Sequence, residues 1–235
     1  DALAVTNFDV TVSNTMNVAQ AKVVANYTDG GAMTHTITDS AANVATNVAN
    51  PVVTGATTVT LSGVASVANA ATVAELSNLS GYDIFDTATN VQAALDTANA
   101  ASAGDRALIE GATAITLTTA ATVAEATGGA SGQGLYTVSG LSYTISDTGA
   151  NVATALEGND AAAITSATSI ATTTAGMTVA EATVVTALVN FAGYDDAGTA
   201  DVVETNYYIE DGFVAIQAAD TALISGAETV TANGT

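Results

Sequence analysis

Apolar and hydroxyl residues alternate along several short stretches of the chain. These are Thr34-His35-Thr36-Ile37-Thr38, Thr58-Val59-Thr60-Leu61-Ser62, Ala114-Ile115-Thr116-Leu117-Thr118 and Ser142-Tyr143-Thr144-Ile145-Ser146. A period of two in Thr, Val and Ile predicts strands with one face in a core and the other in water. Ile37, Val59, Leu61, Ile115, Leu117 and Ile145 would point inward, and the intervening threonines outward. Between these stretches the spacing becomes helical. Val44 and Val48, Val91 and Leu95, and Val152 and Leu156 each place an apolar pair on one helix face.

The helix starts are signalled by two families of short segments. Thr72-Val73-Ala74-Glu75, Thr122-Val123-Ala124-Glu125 and Thr178-Val179-Ala180-Glu181 share one tetrapeptide, with Asn17-Val18-Ala19-Gln20 a weaker copy. Thr-x-x-Glu is a capping box: the Thr oxygen accepts from the third helical amide, and the Glu carboxylate reaches back to the Thr amide. The second family is Asp39-Ser40-Ala41-Ala42-Asn43-Val44, Asp86-Thr87-Ala88-Thr89-Asn90-Val91 and Asp147-Thr148-Gly149-Ala150-Asn151-Val152, with a degraded member at Asp211-Gly212-Phe213-Val214. Here Ser40, Thr87 and Thr148 read as N-caps, and each preceding Asp puts negative charge near a positive helix end.

The two families alternate, and starts in the first lie 55, 50 and 56 residues apart. Such a period marks a repeat protein whose units bury their faces against one another. The expected architecture is an α/β solenoid of parallel strands with short helices on one side. An all-β solenoid is the alternative. Residues 1–190 read as the strand-helix array, and residues 191–235 as a divergent terminal repeat holding Tyr194, Tyr207, Tyr208 and Phe213.

Composition narrows the function classes. The 235 residues carry 23 Asp and Glu against 2 Lys and Arg, a net charge of −21. Lys22 and Arg106 alone cannot neutralise phosphates, which argues against nucleic acid and anionic lipid as partners. Half the chain is hydrophobic at 49%, too apolar for disorder, yet Thr, Ser, Asn or Gly interrupts every apolar run before it could insert into a membrane. The absence of Cys removes disulfides and thiolate chemistry. The chain opens at Asp1 and reads either as a processed mature protein or as a piece of a longer one.

The segment Tyr143-Thr144-Ile145-Ser146-Asp147-Thr148-Gly149-Ala150-Asn151-Val152, together with the Thr-Val-Ala-Glu-Ala segments, resembles repeats of very large secreted bacterial proteins. These are the calcium-associated, type I-secreted adhesin-like and surface-layer-like proteins. No Gly-Gly-x-Gly-x-Asp nonapeptide is present, so their calcium roll has no counterpart here. The resemblance implies an extracellular or cell-surface location and a structural or adhesive role, with no catalytic residues to carry over.

Candidate chemistry is sparse. His35 is the single His and reads as a surface strand residue, and no P-loop or nucleophile-elbow motif occurs. An enzyme is not expected. Calcium, which takes six to eight oxygen ligands, suits Asp in glycine-containing turns. The candidate ligands are Asp29, Asp83, Asp86, Asp160, Asp195, Asp196 and Asp201, and Gly81-Tyr82-Asp83 recurs as Gly193-Tyr194-Asp195. Outward Thr-x-Thr rows could meet ice or glycan, and Asn26 and Asn78 head N-glycosylation sequons. Strand-like sequence near both ends, without polar caps, points to self-association into a fibre or layer. Phe8, Val10, Val12, Tyr207, Tyr208, Phe213 and Val230 are the candidate interface residues.

Overall fold

The structure is a computed structural model and describes residues 8–28, 31–96, 105–173, 176–194 and 207–233. In chain order its elements begin with β1 (Val10–Thr11), α1 (Val18–Ala25), β2 (Met33–Thr34), β3 (Thr36–Asp39), α2 (Ala41–Thr46), α3 (Pro51–Thr54) and β4 (Thr58–Leu61). They continue with α4 (Val67–Val73), β5 (Asp83–Asp86), α5 (Ala88–Leu95), α6 (Asp105–Gly111), β6 (Ala114–Leu117), α7 (Val123–Thr127), β7 (Thr144–Asp147) and α8 (Gly149–Glu157). The last are α9 (Ala161–Ser166), β8 (Ser169–Thr172), α10 (Val179–Val185), β9 (Phe191–Tyr194), β10 (Tyr208–Gly212), α11 (Phe213–Ala218), α12 (Thr221–Gly226) and β11 (Thr229–Asn233).

The expected solenoid is not formed. Among the described residues the strands make five separate small sheets, four of two strands and one of three, interleaved with twelve short helices. Every pairing with an assigned register is parallel, but no sheet continues into the next. Each strand has two to five residues, and the chain between the paired strands runs mostly as helix, so each ladder is limited to the two or three strands that lie side by side. The same helices exclude the all-β alternative.

Two compact units are present: residues 1–86 with 101–116, and residues 87–100 with 117–235. In the first, Ile37 and Val59 face each other across β3 and β4, both fully buried. Val44, Val53 and Val73 close the same core from the helix side. In the second, Ile145 and Ile170 pair across β7 and β8, and β9 adds to the free side of β8. Gly193 at φ 112° sits where the register slips between β8 and β9, a backbone angle that side-chain-bearing residues rarely adopt. No described helix is long and apolar enough to cross a membrane.

The helix starts follow the capping rules with one correction. Asn17, Thr122 and Thr178 form complete capping boxes with Gln20, Glu125 and Glu181. Ser40, Thr87 and Thr148 accept from the amides of Asn43, Asn90 and Asn151. Thr72-Val73-Ala74-Glu75, however, caps nothing. Thr72 lies inside α4, its hydroxyl donating to the Ala68 carbonyl at 3.2 Å, and the N-cap is Ser66, which accepts from Asn69. Ser66-Val67-Ala68-Asn69 is therefore the true counterpart of the other three, with a shorter amide in place of Glu.

Candidate functional site

The most regular chemistry in the molecule is a five-residue segment present four times: an aromatic, any residue, Ile, any residue, Asp. It occurs as His35-Thr36-Ile37-Thr38-Asp39, Tyr82-Asp83-Ile84-Phe85-Asp86, Tyr143-Thr144-Ile145-Ser146-Asp147 and Tyr207-Tyr208-Ile209-Glu210-Asp211. Ile37, Ile84, Ile145 and Ile209 are each at most 1% exposed. Each also forms a parallel bridge to the residue just before an earlier helix cap: Met16, Ala65, Ala121 and Met177.

The Asp of each segment clamps an earlier helix, and Asp39, Asp147 and Asp211 also bond to the amide that opens the following one. Its Oδ2 accepts from the first helical amide of an earlier helix: Val18 to Asp39 at 3.0 Å, Val67 to Asp86 at 2.9 Å, Val123 to Asp147 at 2.8 Å and Val179 to Asp211 at 3.0 Å. In Asp39 and Asp147 the other oxygen accepts from the next amide and from the Asn four residues on. The carboxylate thus satisfies donors that a helix N-terminus leaves without partners. For Asp39, burial works against ionisation, but hydrogen bonds from Asn43, Val18 and Ser40 outweigh it and hold its pKa below the ordinary aspartate value.

The aromatic residue of each segment latches a following helix. The Tyr82 hydroxyl donates to the Leu108 carbonyl at 2.6 Å, Tyr143 to Ala163 at 2.5 Å and Tyr207 to Leu223 at 2.6 Å. His35 Nε2 lies 2.7 Å from the Val52 carbonyl. His35, expected on the surface, is 3% exposed and occupies the place of a tyrosine. Burial pushes the Tyr143 hydroxyl up to about 12, with Tyr136 adding in the same direction, and raises Tyr82 and Tyr207 as well. The sequence carried the signal for this motif, since the four Tyr/His-x-Ile-x-Asp segments align without gaps. The Gly81-Tyr82-Asp83 and Gly193-Tyr194-Asp195 likeness obscured it. Tyr194 has another role, packing edge-on against Tyr208 with ring centroids 5.5 Å apart.

Three of the seven candidate calcium ligands lie among the described residues. Asp83 is exposed on β5, Asp86 clamps α4, and Asp160 is exposed at the start of α9 in the other unit. Asp29, Asp195, Asp196 and Asp201 lie outside the described residues. Among the described residues no group of three His, Asp or Glu side chains is placed to hold a metal ion. Two open grooves, of about 530 and 450 Å³, flank the latches of Tyr82 and Tyr207. Their walls are Ala71, Ala74 and Ala107 in one and Thr183, Thr186 and Ala222 in the other, with one carboxylate each, Glu75 and Asp220. A single carboxylate beside small side chains offers no acid-base pair.

The candidate interface residues fall into three classes. Tyr207 is buried in its latch, whereas Phe213 is 61% exposed and Phe8 39%. Val10, Val12, Tyr208 and Val230 are half-buried. The Asn78 amide, offered as a sequon, donates to the carbonyls of Val53 at 3.0 Å and Ala56 at 2.7 Å, so its nitrogen is already engaged in the fold. Compared with known proteins, the chain matches no family model, no curated sequence and no solved structure.

Proposed function

We propose that the chain is a non-enzymatic structural protein of the cell surface or extracellular space that self-associates into a fibre or layer. The observation that carries the reading is the β10–β11 end of the second unit. There, among the described residues, β11 pairs only with β10, four of its five residues are exposed, and Phe213 and Val214 stand 61% and 77% exposed beside it. Strand edges of this kind template further pairing. The clamping carboxylates and latching hydroxyls are meanwhile committed to main-chain partners, which suits a scaffold. Calcium enters through the net charge of −21, which divalent cations would screen between copies.

Electron microscopy and light scattering of the purified chain, with calcium and with chelator, test this. Filaments or sheets that grow with calcium are expected. A monodisperse monomer in both conditions refutes assembly, and assembly indifferent to chelator removes calcium from the reading.

A second reading has its own observation. Thr36 and Thr38 on β3 stand in register with Thr58 and Thr60 on β4, and Ser80 Oγ donates to Thr60 Oγ1 at 3.3 Å. These rows of hydroxyls suit an adhesin-type module for glycan or ice. Thermal hysteresis or glycan-array binding by a monodisperse sample, abolished by Thr60→Val, would favour it over assembly.

A further inference from the structure

The strand before each capped helix occupies a recurring place, and β4 and β8 show it complete. Each pairs on one side with a strand ending in the clamping Asp, β3 or β7. On the other side each meets a further segment, Leu79 for β4 and β9 for β8. Val59 displays the second side: its N–H donates to the Asn78 carbonyl and its carbonyl accepts from Ser80, both at 2.9 Å. β1 and β11 hold the same place half-filled, and the missing halves are opposite. In β1, Val10 and Val12 donate to the carbonyls of Ala32 and Thr34 at 2.8 and 2.9 Å, which is the Leu79 side. Among the described residues nothing pairs with its Asp-strand side. In β11 the Asp-strand side is filled by β10, with Ile209 opposite Val230 as Ile37 is opposite Val59. The alternation of a parallel ladder turns the main-chain groups of Val230 and Ala232 to its open side.

We infer that β11 of one copy replaces β1 in a second copy, pairing parallel with that copy's Met33–Thr34. This rests on the self-association reading and names its contact. Val230 takes the position of Val10 opposite Met33, and Thr231 that of Thr11 opposite Thr34. The Val230 and Ala232 amides then donate to the carbonyls of Ala32 and Thr34. The displaced strand is weakly held, with only two residues in register. The incoming strand has five residues already in register with β10, so it arrives pre-ordered. The Val10 and Val12 main-chain bonds lost by β1 are replaced by those of Val230 and Ala232, while the bond from the Ala32 amide to the Asp9 carboxylate is given up; Val230, half-buried in the free chain, gains the cover that leaves Val59 and Ile170 with no exposure. Successive copies joined this way use different surfaces on each partner, which produces an open chain of copies.

Phe213 makes the inference discriminating. Its counterparts in the earlier segments are Ala41, Ala88 and Gly149, all buried, and a Cβ on Gly149 would lie 2.5 Å from Met177 Cγ. A small residue is what a closed junction wants at that place. Phe213→Ala should therefore leave assembly intact or strengthen it, whereas a contact made by a hydrophobic patch would lose assembly.

The full-length chain provides the test. Copies carrying Thr34→Cys are mixed with copies carrying Thr231→Cys under mild oxidant. A mixed disulfide dimer is expected, while Thr38→Cys in place of Thr34→Cys should give none. Ala232→Pro removes one outward amide and leaves the β10–β11 ladder unbroken, since proline is tolerated where its nitrogen faces away from the partner strand. It should shift the scattering mass to monomer with an unchanged thermal midpoint. If the parent assembles but Ala232→Pro assembles equally and no mixed disulfide forms, the exchange is refuted while self-association stands. If the parent never leaves the monomer, both fall. A double variant that closes its disulfide within one chain also overturns the exchange.

Discussion

Replacing Asp39 by Ala deprives three donors of their acceptor at once: the Val18 amide at 3.0 Å, the Ser40 amide at 2.8 Å and the Asn43 side chain at 2.9 Å. Two of these donors stand at the starts of different helices, so the loss loosens the entry to α2, whose Ser40 cap remains, and releases α1 together. The carboxylate is only partly buried, which places each bond near the lower end for charged acceptors, about 1 kcal/mol. The expected cost of Asp39→Ala is therefore about 2–3 kcal/mol in the first unit. Asp39→Asn keeps one acceptor oxygen but turns an NH2 toward a donor, at a cost of about 1–2 kcal/mol.

The pH dependence gives an independent check. The folded pKa of Asp39 lies below its unfolded value of 3.8. Its contribution is thus complete above that value and is lost as pH falls through the folded pKa. Urea titrations followed by circular dichroism, from neutral pH down to the acid limb, should show a smaller acid loss in Asp39→Asn than in the parent. Hydrogen exchange of the peptide spanning Met16–Ala25 should rise selectively in Asp39→Ala. A cost below about 0.5 kcal/mol, the size of an ordinary surface substitution, with unchanged exchange in α1 would refute the clamp.

Three further outcomes follow from the same bonding. Tyr143→Phe leaves the Ala163 carbonyl without its donor and should cost about 1–1.5 kcal/mol. Because the Tyr143 pKa is raised to about 12, its share of stability holds below about 10 and is lost as pH rises toward 12; that alkaline limb, read by denaturation against pH, should shrink in the variant. Gly149→Ala drives a methyl into Met177 and should destabilise by about 1–3 kcal/mol, with Met177→Ala in the same chain restoring much of the loss; additive costs in urea titrations would contradict the contact. Thr122→Ala and Thr178→Ala should each cost about 1 kcal/mol as lost caps, whereas Thr72→Ala, inside a helix, should cost less than about 0.5 kcal/mol; equal costs in thermal melts would restore Thr72 as a cap.

Much of the local structure was legible because capping is a short-range interaction. Thr122 and Glu125 meet whatever surrounds them, as do Ser40 and Asn43. Thr72 shows the limit of that logic. Its tetrapeptide is identical to the real boxes, but Ser66 begins the helix six residues earlier and Val73 is drawn into the core. His35 shows another limit: alternation puts it on the inward face with Ile37, but a lone polar ring finds no partner among its neighbours in the chain, and only the position of the Val52 carbonyl satisfies it there. The acidic turns were read as ion ligands because Asp in a turn has the same local sequence whether it binds a cation or caps a helix.

By itself the sequence determined the things that neighbours in the chain decide: which segments start helices, which short runs extend, where negative charge sits, and that the pattern recurs. Tertiary structure decided what depends on separation. It set which amide each aspartate reaches some twenty to thirty residues away, which carbonyl each tyrosine latches, and that the strands stop as five small sheets. The physical reason is that a cap forms wherever its few residues lie, whereas a ladder widens only where the fold brings another strand alongside its free edge. Here much of the chain between the paired strands is helix, and the ladders stop at two or three strands.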